Sequence, residues 1–293
     1  MFDIDDIRHI KLIAELGSIS QASERLNMSQ PTLSKRLARL ERHFGIALFH
    51  RSNSGMIATE AATYIIGAGE PLFRQIQVIE RHIELMATVR EGRLSLGVGP
   101  IVEQIHLPCV LLDYHRRFPG IRLSVRTGSA EQLMAWLING ELDAAAGPFG
   151  DDVAGLAPFH AEALPEEEMV LVVRCGHPLA GRDSLGAGDL TAYPSIGPHI
   201  PAHWVHRLGA RGVEIVPQIT CDNYATSKSL VMASDFITGG PERLFARELA
   251  DGVLAKLPVR TSIPWSARFV TRVESLHLPA IVNLLAIFKQ SSG

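Results

Sequence analysis

The chemistry most plainly written in this chain lies between residues 18 and 51, where small polar and basic side chains recur on one helical face. Gln30, Pro31, Thr32, Ser34, Lys35 and Arg39 follow Ser29 on that face, and Leu33, Leu37, Leu40 and Phe44 fall at i, i+4, i+7 and i+11 on the other. Amides and hydroxyls displayed this way can hydrogen-bond base edges in a DNA major groove, and cations can meet phosphates. From Arg25 to Arg51 six Lys or Arg residues stand against one acid, Glu41, a local balance of +5. The alternative is an ordinary helical hairpin with a solvated face.

The flanking residues say how such a face would be held. Ser18 with Gln21 three residues later has the capping-box pattern, Asn27 tolerates a left-handed turn, and Ser29 is a second N-cap. A first helix capped by Asp3 or Asp5 turns Ile7, Ile10, Ile13 and Ala14 inward and stops at Gly17. Ala22 is small enough to let helices approach. After Gly45, residues 48–51 are extended, 52–55 turn and 56–58 return. That is a small wing, and it places Arg51 within reach of a backbone or minor groove.

Thr59 caps a long helix over about 60–90. Ala62, Ile65, Gly69, Leu72, Ile76, Ile79, Ile83 and Met86 alternate in steps of three and four, the seam of a coiled coil. A short first domain offers such a seam no cover, so a second subunit is expected along Ile65, Leu72, Ile76, Ile79, Ile83 and Met86. Pro71 is expected to kink the helix.

From Gly92 short apolar strands alternate with helices, an α/β texture. Strands are expected at 93–99, 121–126, 142–146, 169–174, 194–196, 214–219, 236–238 and 268–272. Helices are expected at 105–118, 129–139, 201–210, 224–232, 242–250 and 279–290. With 293 residues, 46% hydrophobic and 20% charged, the chain is globular and long enough for about two domains. Net charge is −3, but residues 1–60 carry +1, so a basic face can still act locally. With Asp3, Asp5 and Asp6 at the start and no apolar run following a basic one, no secretory signal is expected, and no apolar run is long enough to span a membrane. Cys109, Cys175 and Cys221 are odd in number and far apart, which fits a reducing cytoplasm; a redox-sensing cysteine stays open.

The catalytic patterns sought are absent: no G-x-S-x-G, no H-E-x-x-H, no G-x-x-x-x-G-K-[ST], and no third glycine after Gly97-Val98-Gly99. No enzyme activity and no cofactor are expected. His199, His203 and His206 could gather imidazoles for a metal, but Pro198 and Pro201 disturb the register and no acid or thiol adjoins them. They read as surface or cleft histidines, with no metal.

The motifs Gly17-Ser18-Ile19-Ser20-Gln21-Ala22, Ser29-Gln30-Pro31-Thr32-Leu33-Ser34 and Leu48-Phe49-x-Arg51 resemble those of LysR-type transcriptional regulators. So do Phe118-Pro119-Gly120-Ile121, Gly140-Glu141-Leu142-Asp143-Ala144, His177-Pro178-Leu179-Ala180 and Asp189-Leu190, in order over nearly the whole chain. Ser23 departs from the pattern, where a second alanine is usual. The resemblance implies an α/β chain: a winged helix-turn-helix at 1–59, a dimerising linker helix at 60–91, and a two-lobed effector domain at 92–293 similar to periplasmic binding proteins. Lobe one would hold about 93–161 and 268–293, and lobe two about 162–267, with crossovers near 160–164 and 265–269.

It also implies a cytoplasmic regulator that binds double-stranded operator DNA as a homodimer or homotetramer and answers to a small organic metabolite. Gln30, Pro31, Thr32, Ser34 and Lys35 would then face the major groove, and Ser18, Arg36, Arg39 and Arg51 the phosphates. Effector candidates at the carboxyl ends of strands are Pro100, Ile101 and Val102, Gly128 and Ser129, and Pro148 and Phe149. From the second lobe come Ser195, Gly197, His199 and His203, then Asn223 and Tyr224, Thr238 and Gly239. Pro100, Ile101 and Phe149 would make one wall apolar. The competing class is a cytoplasmic small-molecule-binding module whose N-terminal helices serve oligomerisation only.

Overall fold

The computed structural model describes residues 2–52, 55–87, 92–200, 205, 217–259 and 264–291. The chain divides into two compact units, 1–79 and 80–293. No helix among the described residues is long and apolar enough to cross a membrane.

In the first unit, α1 (Ile4–Leu16) begins at a reciprocal cap in which Asp3 accepts from the Asp6 amide and Asp6 from the Asp3 amide, at 2.9 and 3.1 Å. It ends at Gly17, whose φ of 61° is left-handed. Helices α2 (Ile19–Arg25) and α3 (Gln30–Phe44) follow, with Asn27 at φ 52° in the turn between them. Ser18 accepts from the Gln21 amide at 3.3 Å; the return bond from the Gln21 side chain is not among the described ones, so only half of the expected capping box forms. Ile10, Ile13, Ala22, Leu33, Leu37 and Leu40 close the core. Phe44 does not continue that stripe: it is exposed and packs edge-on against Phe2. The departure at Ser23 is absorbed because its buried hydroxyl donates to the Ser20 carbonyl at 2.8 Å.

Strands β1 (Phe49–Ser52) and β2 (Gly55–Ala58) form the antiparallel wing. Glu41, the lone acid of the basic segment, is spent on its base, accepting from the Leu48 and Phe49 amides. Thr59 caps α4 (Glu60–Ala87), which continues through Pro71. Ala62 and Ile65 pack on the winged-helix core, and a Cβ at Gly69 would fall 2.3 Å from Ile7 Cγ2. The chain's own first unit therefore covers the start of the seam, because its small residues permit close approach. This corrects the expectation of a wholly uncovered seam and the place of Ile65 within it. Farther on, Leu72, Ile79 and Ile83 are 50%, 49% and 59% exposed and Ile76 is half-buried. The Met86 side chain lies outside the described residues.

The second unit holds a five-stranded sheet in the order β4 (Ile121–Thr127), β3 (Gly92–Val98), β5 (Ala144–Gly147), β12 (Arg268–Arg272), β6 (Phe159–Ala163). β3 runs parallel to β4 and β5, and β12 antiparallel to β5 and β6. Helices α5 (Pro100–Ile105), α6 (Leu107–Arg117), α7 (Ala130–Ile138) and α11 (Pro279–Gln290) complete lobe one. The helix expected over 105–118 forms as α6, while the short α5 before it has no counterpart among the expected helices. His106 separates the two, and Pro108, which has no amide to donate, suits the first turn of α6.

Asp143 explains the Glu-Leu-Asp motif physically. Its buried carboxylate accepts from the Ser95 amide at 2.7 Å and from Arg81 Nε of α4 at 3.3 Å.

Lobe two is built on the sheet β10 (Thr238–Pro241), β7 (Met169–Arg174), β11 (Leu254–Lys256), with a parallel pair β8 (Ile196–Gly197) and β9 (Ile219–Thr220). Helices α8 (Ala187–Thr191), α9 (Tyr224–Ala233) and α10 (Ala246–Ala250) surround it. Strand β11 has no counterpart among the expected strands, and the strand expected at 236–238 starts at Thr238. The helix expected at 242–250 is a 3-10 turn, Glu242–Phe245, followed by α10. The helix expected at 201–210 and most of the strand expected at 214–219 lie outside the described residues. The two crossovers run together: Leu164 N donates to Ala267 O, and Glu167 and Trp265 exchange both backbone bonds at 2.8 and 2.9 Å. Since β6 reaches Ala163 in lobe one's sheet, the crossover begins at Leu164, at the end of the range 160–164.

Candidate nucleic-acid interface and effector cleft

The wing is set against the helix-turn-helix by one close backbone contact. Met56 N donates to Gly17 O at 2.7 Å, which brings Gly55 so near Gly17 that a Cβ there would lie 2.4 Å from the same oxygen. Arg51 is thereby carried to the start of α2 and α3. Ser18, Gln30 and Arg51 line one open groove of about 290 Å³ with Gly17, Ile19 and Met56. Three residues assigned separately to bases and phosphates thus share one concave surface.

Along α3, Gln30, Pro31, Thr32 and Lys35 are exposed and Ser34 is half-buried. Gln30 Nε2 donates to Ser34 Oγ at 3.1 Å, and Thr32 shares a 2.7 Å hydroxyl bond with Ser29, so the polar edge is pre-ordered by its own hydrogen bonds. Lys35 has no ion-pair partner among the described residues. Arg36 and Arg39 differ. Arg36 Nε donates to Asp6 Oδ1 at 2.5 Å and its Nη2 to Asp3 at 2.9 and 3.0 Å, while Arg39 reaches Asp6 at 3.4 and 3.5 Å. The expectation that both meet phosphates ignored these acids of α1, which neutralise part of the +5. Arg36 has a structural partner already; Arg39 is half-exposed and only loosely held.

In lobe one, Pro100, Gly128, Ser129 and Pro148 gather just beyond the carboxyl ends of the neighbouring strands β3, β4 and β5, where Gly99 N donates to Ala146 O and Gly128 N to Val98 O. In lobe two, Ser195, Gly197 and His199 sit along β8. Asn223 caps α9, accepting from Ala225 and Thr226 amides. Two residues missing from the sequence reading organise that side. Gln218 accepts from both Ser195 N and Oγ, and Asp222 accepts from His199 N at 2.8 Å. Both lie more than twenty residues from their partners, so no local spacing announces them.

Other expected cleft residues are placed elsewhere. Ile101, Val102 and Tyr224 belong to the main core and Phe149 to a second cluster, which removes the expected apolar wall. The Tyr224 hydroxyl donates to Gly239 O at 3.3 Å, and burial raises its pKa. Thr238 is buried in β10. His203 and His206 lie outside the described residues. The cysteines are free, Cys109 and Cys175 exposed and Cys221 half-buried.

This arrangement has known counterparts. Residues 4–63 match the model of the bacterial regulatory helix-turn-helix protein, lysR family, and residues 87–293 match the LysR substrate binding domain. The chain belongs to the LysR family. It is a transcriptional regulator with a helix-turn-helix DNA-binding domain and an effector-binding domain.

Among LysR-family relatives, the SDS degradation transcriptional activation protein of a Pseudomonas species is 30% identical over 88% of this chain and 85% of its own length. The hydrogen peroxide-inducible genes activator of Dickeya chrysanthemi is 27% identical over 64% of this chain and 61% of that protein. Full-length CbnR in complex with its target DNA shares the fold, with a TM-score of 0.64 at 17% identity over 99% of this chain and 100% of that one. HinK from Pseudomonas aeruginosa superposes with a TM-score of 0.56 at 19% identity, covering 100% of this chain and 99% of that one.

Proposed function

We propose that Gln30, Pro31, Thr32, Ser34 and Lys35 read base edges in the major groove of an operator, while Ser18 and Arg51 hold the phosphates beside it. The observation that carries this reading is the groove shared by Ser18, Gln30 and Arg51 at the helix N-termini, where unsatisfied amides favour anions. Arg39 adds a peripheral cation, and Arg36 stabilises the domain rather than touching DNA. In this reading residues 1–59 bind DNA, 60–91 pair two chains through Leu72, Ile76, Ile79, Ile83 and Met86, and 92–293 sense a small organic metabolite in the cytoplasm. A two-fold pair calls for half-sites about 34 Å apart, or a multiple of that distance.

The effector contacts are assigned to Pro100, Gly128, Ser129 and Pro148 on one lobe, and to Ser195, Gly197, His199 and Asn223 on the other. Effector binding shifts the equilibrium between assembly shapes through its different affinity for each. A gel shift with the protein's own promoter region tests the assignment against a module that only binds small molecules: a discrete complex that resists nonspecific competitor is expected. Metabolites that raise the melting temperature are then retested for an altered footprint. A full set of thermal hits that leave every footprint unchanged would sink the gating.

A further inference from the structure

The turn after β10 in lobe two carries Arg243, whose guanidinium ends in lobe one. Its Nη1 donates to Glu167 Oε1 at 2.9 Å, and its Nη2 to the carbonyls of Ser291 at 2.9 Å and Ile105 at 3.4 Å. Ile105 ends α5 and Ser291 caps the end of α11, so the cation sits where two helices leave carbonyls unsatisfied. Glu167 lies on the crossover, paired with Trp265. A planar fork suits such a set of acceptors better than an ammonium does.

His106 completes the cluster. It is fully buried, with Nδ1 2.9 Å from Ser291 Oγ. The Ser291 hydroxyl spends its only hydrogen on Phe288 O at 2.7 Å, so His106 Nδ1 is the donor and Nε2 carries a bare lone pair. That lone pair has no hydrogen-bond partner and lies 3.8 Å from Glu167 Oε1, the oxygen that Arg243 holds. Burial and, second, the Arg243 charge bring His106 down to about 4, so the ring is neutral at pH 7.

We propose that Arg243, Glu167 and His106 form an interlobe latch with two states. In the state seen here Arg243 holds Glu167 and the ends of α5 and α11; in the other, Arg243 withdraws with lobe two and a protonated His106 takes over Glu167. The carboxylate then keeps a cationic partner in both states, which avoids the penalty of a buried unpaired charge. The charged groups facing His106 are Glu167 from the crossover and Arg243 from lobe two, with the neutral Ser291 hydroxyl from α11. Release takes one proton from solvent onto His106 Nε2, so lower pH favours it. The latch depends on the two-lobed architecture and not on the assignment of DNA or effector contacts.

The test uses the full chain and mass-spectrometric hydrogen exchange. Arg243→Gln should raise deuterium uptake several-fold in the crossover segments 164–168 and 264–267 at pH 7 and leave β3 unchanged. In the same variant the histidine C2-exchange midpoint of His106 should climb from about 4, because the Arg243 charge no longer opposes its protonation. Arg243→Lys should fall between wild type and Arg243→Gln. Crossover uptake equal to wild type, or a His106 midpoint that stays in place, overturns the latch. Should Arg243→Gln fail to fold, wild type alone suffices: crossover uptake, corrected for intrinsic exchange, should rise as pH falls below about 5. His106→Asn should abolish that rise. No rise, or a rise that persists in His106→Asn, counts against the proposal.

Discussion

Arg36 Nε donates to Asp6 Oδ1 at 2.5 Å, and the carboxylate it meets is wholly buried beneath α1 and α3. The pair separates two kinds of basic residue on the same helix. Removing Arg36 leaves a buried carboxylate with only the Asp3 amide and the distant Arg39, and such a loss costs about 3 kcal/mol. Arg36→Ala should therefore lower the denaturation midpoint of the first unit. Arg39→Ala, whose side chain is half-exposed, should cost less than about 1 kcal/mol. Equal small losses in urea titrations of both variants would show that the Asp6 pair is not structural.

The same network gives the first unit an acid-side limit. The Asp6 amide, and then the Arg36 charge, hold the Asp3 carboxyl below its ordinary value. A carboxyl whose folded-state pKa is depressed stabilises above its unfolded value, and that stability is lost as pH falls through the folded value. Stability of the first unit should be level from neutral pH to about 5 and fall below about 4. Asp3→Asn should flatten part of that decline in melts taken across pH.

Lys35 and Arg51 should behave oppositely to Arg36. Neither packs in the core, so Lys35→Ala and Arg51→Ala should leave the melting temperature within about 1 °C of wild type. Each should weaken operator binding and reduce the slope of log affinity against log salt by about 1. Gel shifts at several salt concentrations measure this. An unchanged slope in both variants removes both cations, the groove-facing Lys35 and the phosphate-facing Arg51, from the DNA interface.

How much of this was legible beforehand follows from the range of the interactions. Ser18, Ser29, Gly17 and the Leu33, Leu37, Leu40 stripe act within a turn or two, so spacing alone located them. The short α5 (Pro100–Ile105) was not legible, because six residues are too few to show a helical period. Arg36 with Asp3 and Asp6 pairs residues about thirty positions apart, and a local charge balance counts only one side of such a pair. Gln218 and Asp222 fail for the same reason. Ile101 and Phe149 were misjudged because the end of a strand marks a cleft and a core equally well; only the packing of α5 and α7 distinguishes the two.

The exposed part of the α4 seam gives an association prediction. Leu72, Ile79 and Ile83 are about half-exposed on one helix, an apolar stripe that a second copy would cover. Burying an aliphatic side chain contributes about 1.5–3 kcal/mol. Leu72→Asp combined with Ile79→Asp should therefore weaken self-association by about 3 kcal/mol or more, roughly a hundredfold in Kd. Sedimentation velocity should show a shift to monomer. Ile65→Asp should instead destabilise the first unit, since Ile65 packs against its core.

Two glycines make opposite predictions from the same substitution. Gly55 has φ of 115°, and a Cβ there would lie 2.4 Å from Gly17 O, the carbonyl that Met56 N holds. Gly55→Ala must break that contact or distort the wing, at a cost of about 1–3 kcal/mol. It should also lower DNA affinity although α3 is untouched, because Arg51 reaches the groove only through the wing. Gly67 is exposed within α4 and a Cβ there meets nothing within 4 Å. Gly67→Ala should stabilise the helix by about 0.5–1 kcal/mol and leave operator binding unchanged. Paired melts and gel shifts decide it. Gly55→Ala binding as tightly as wild type would mean that the wing does not position Arg51 for DNA.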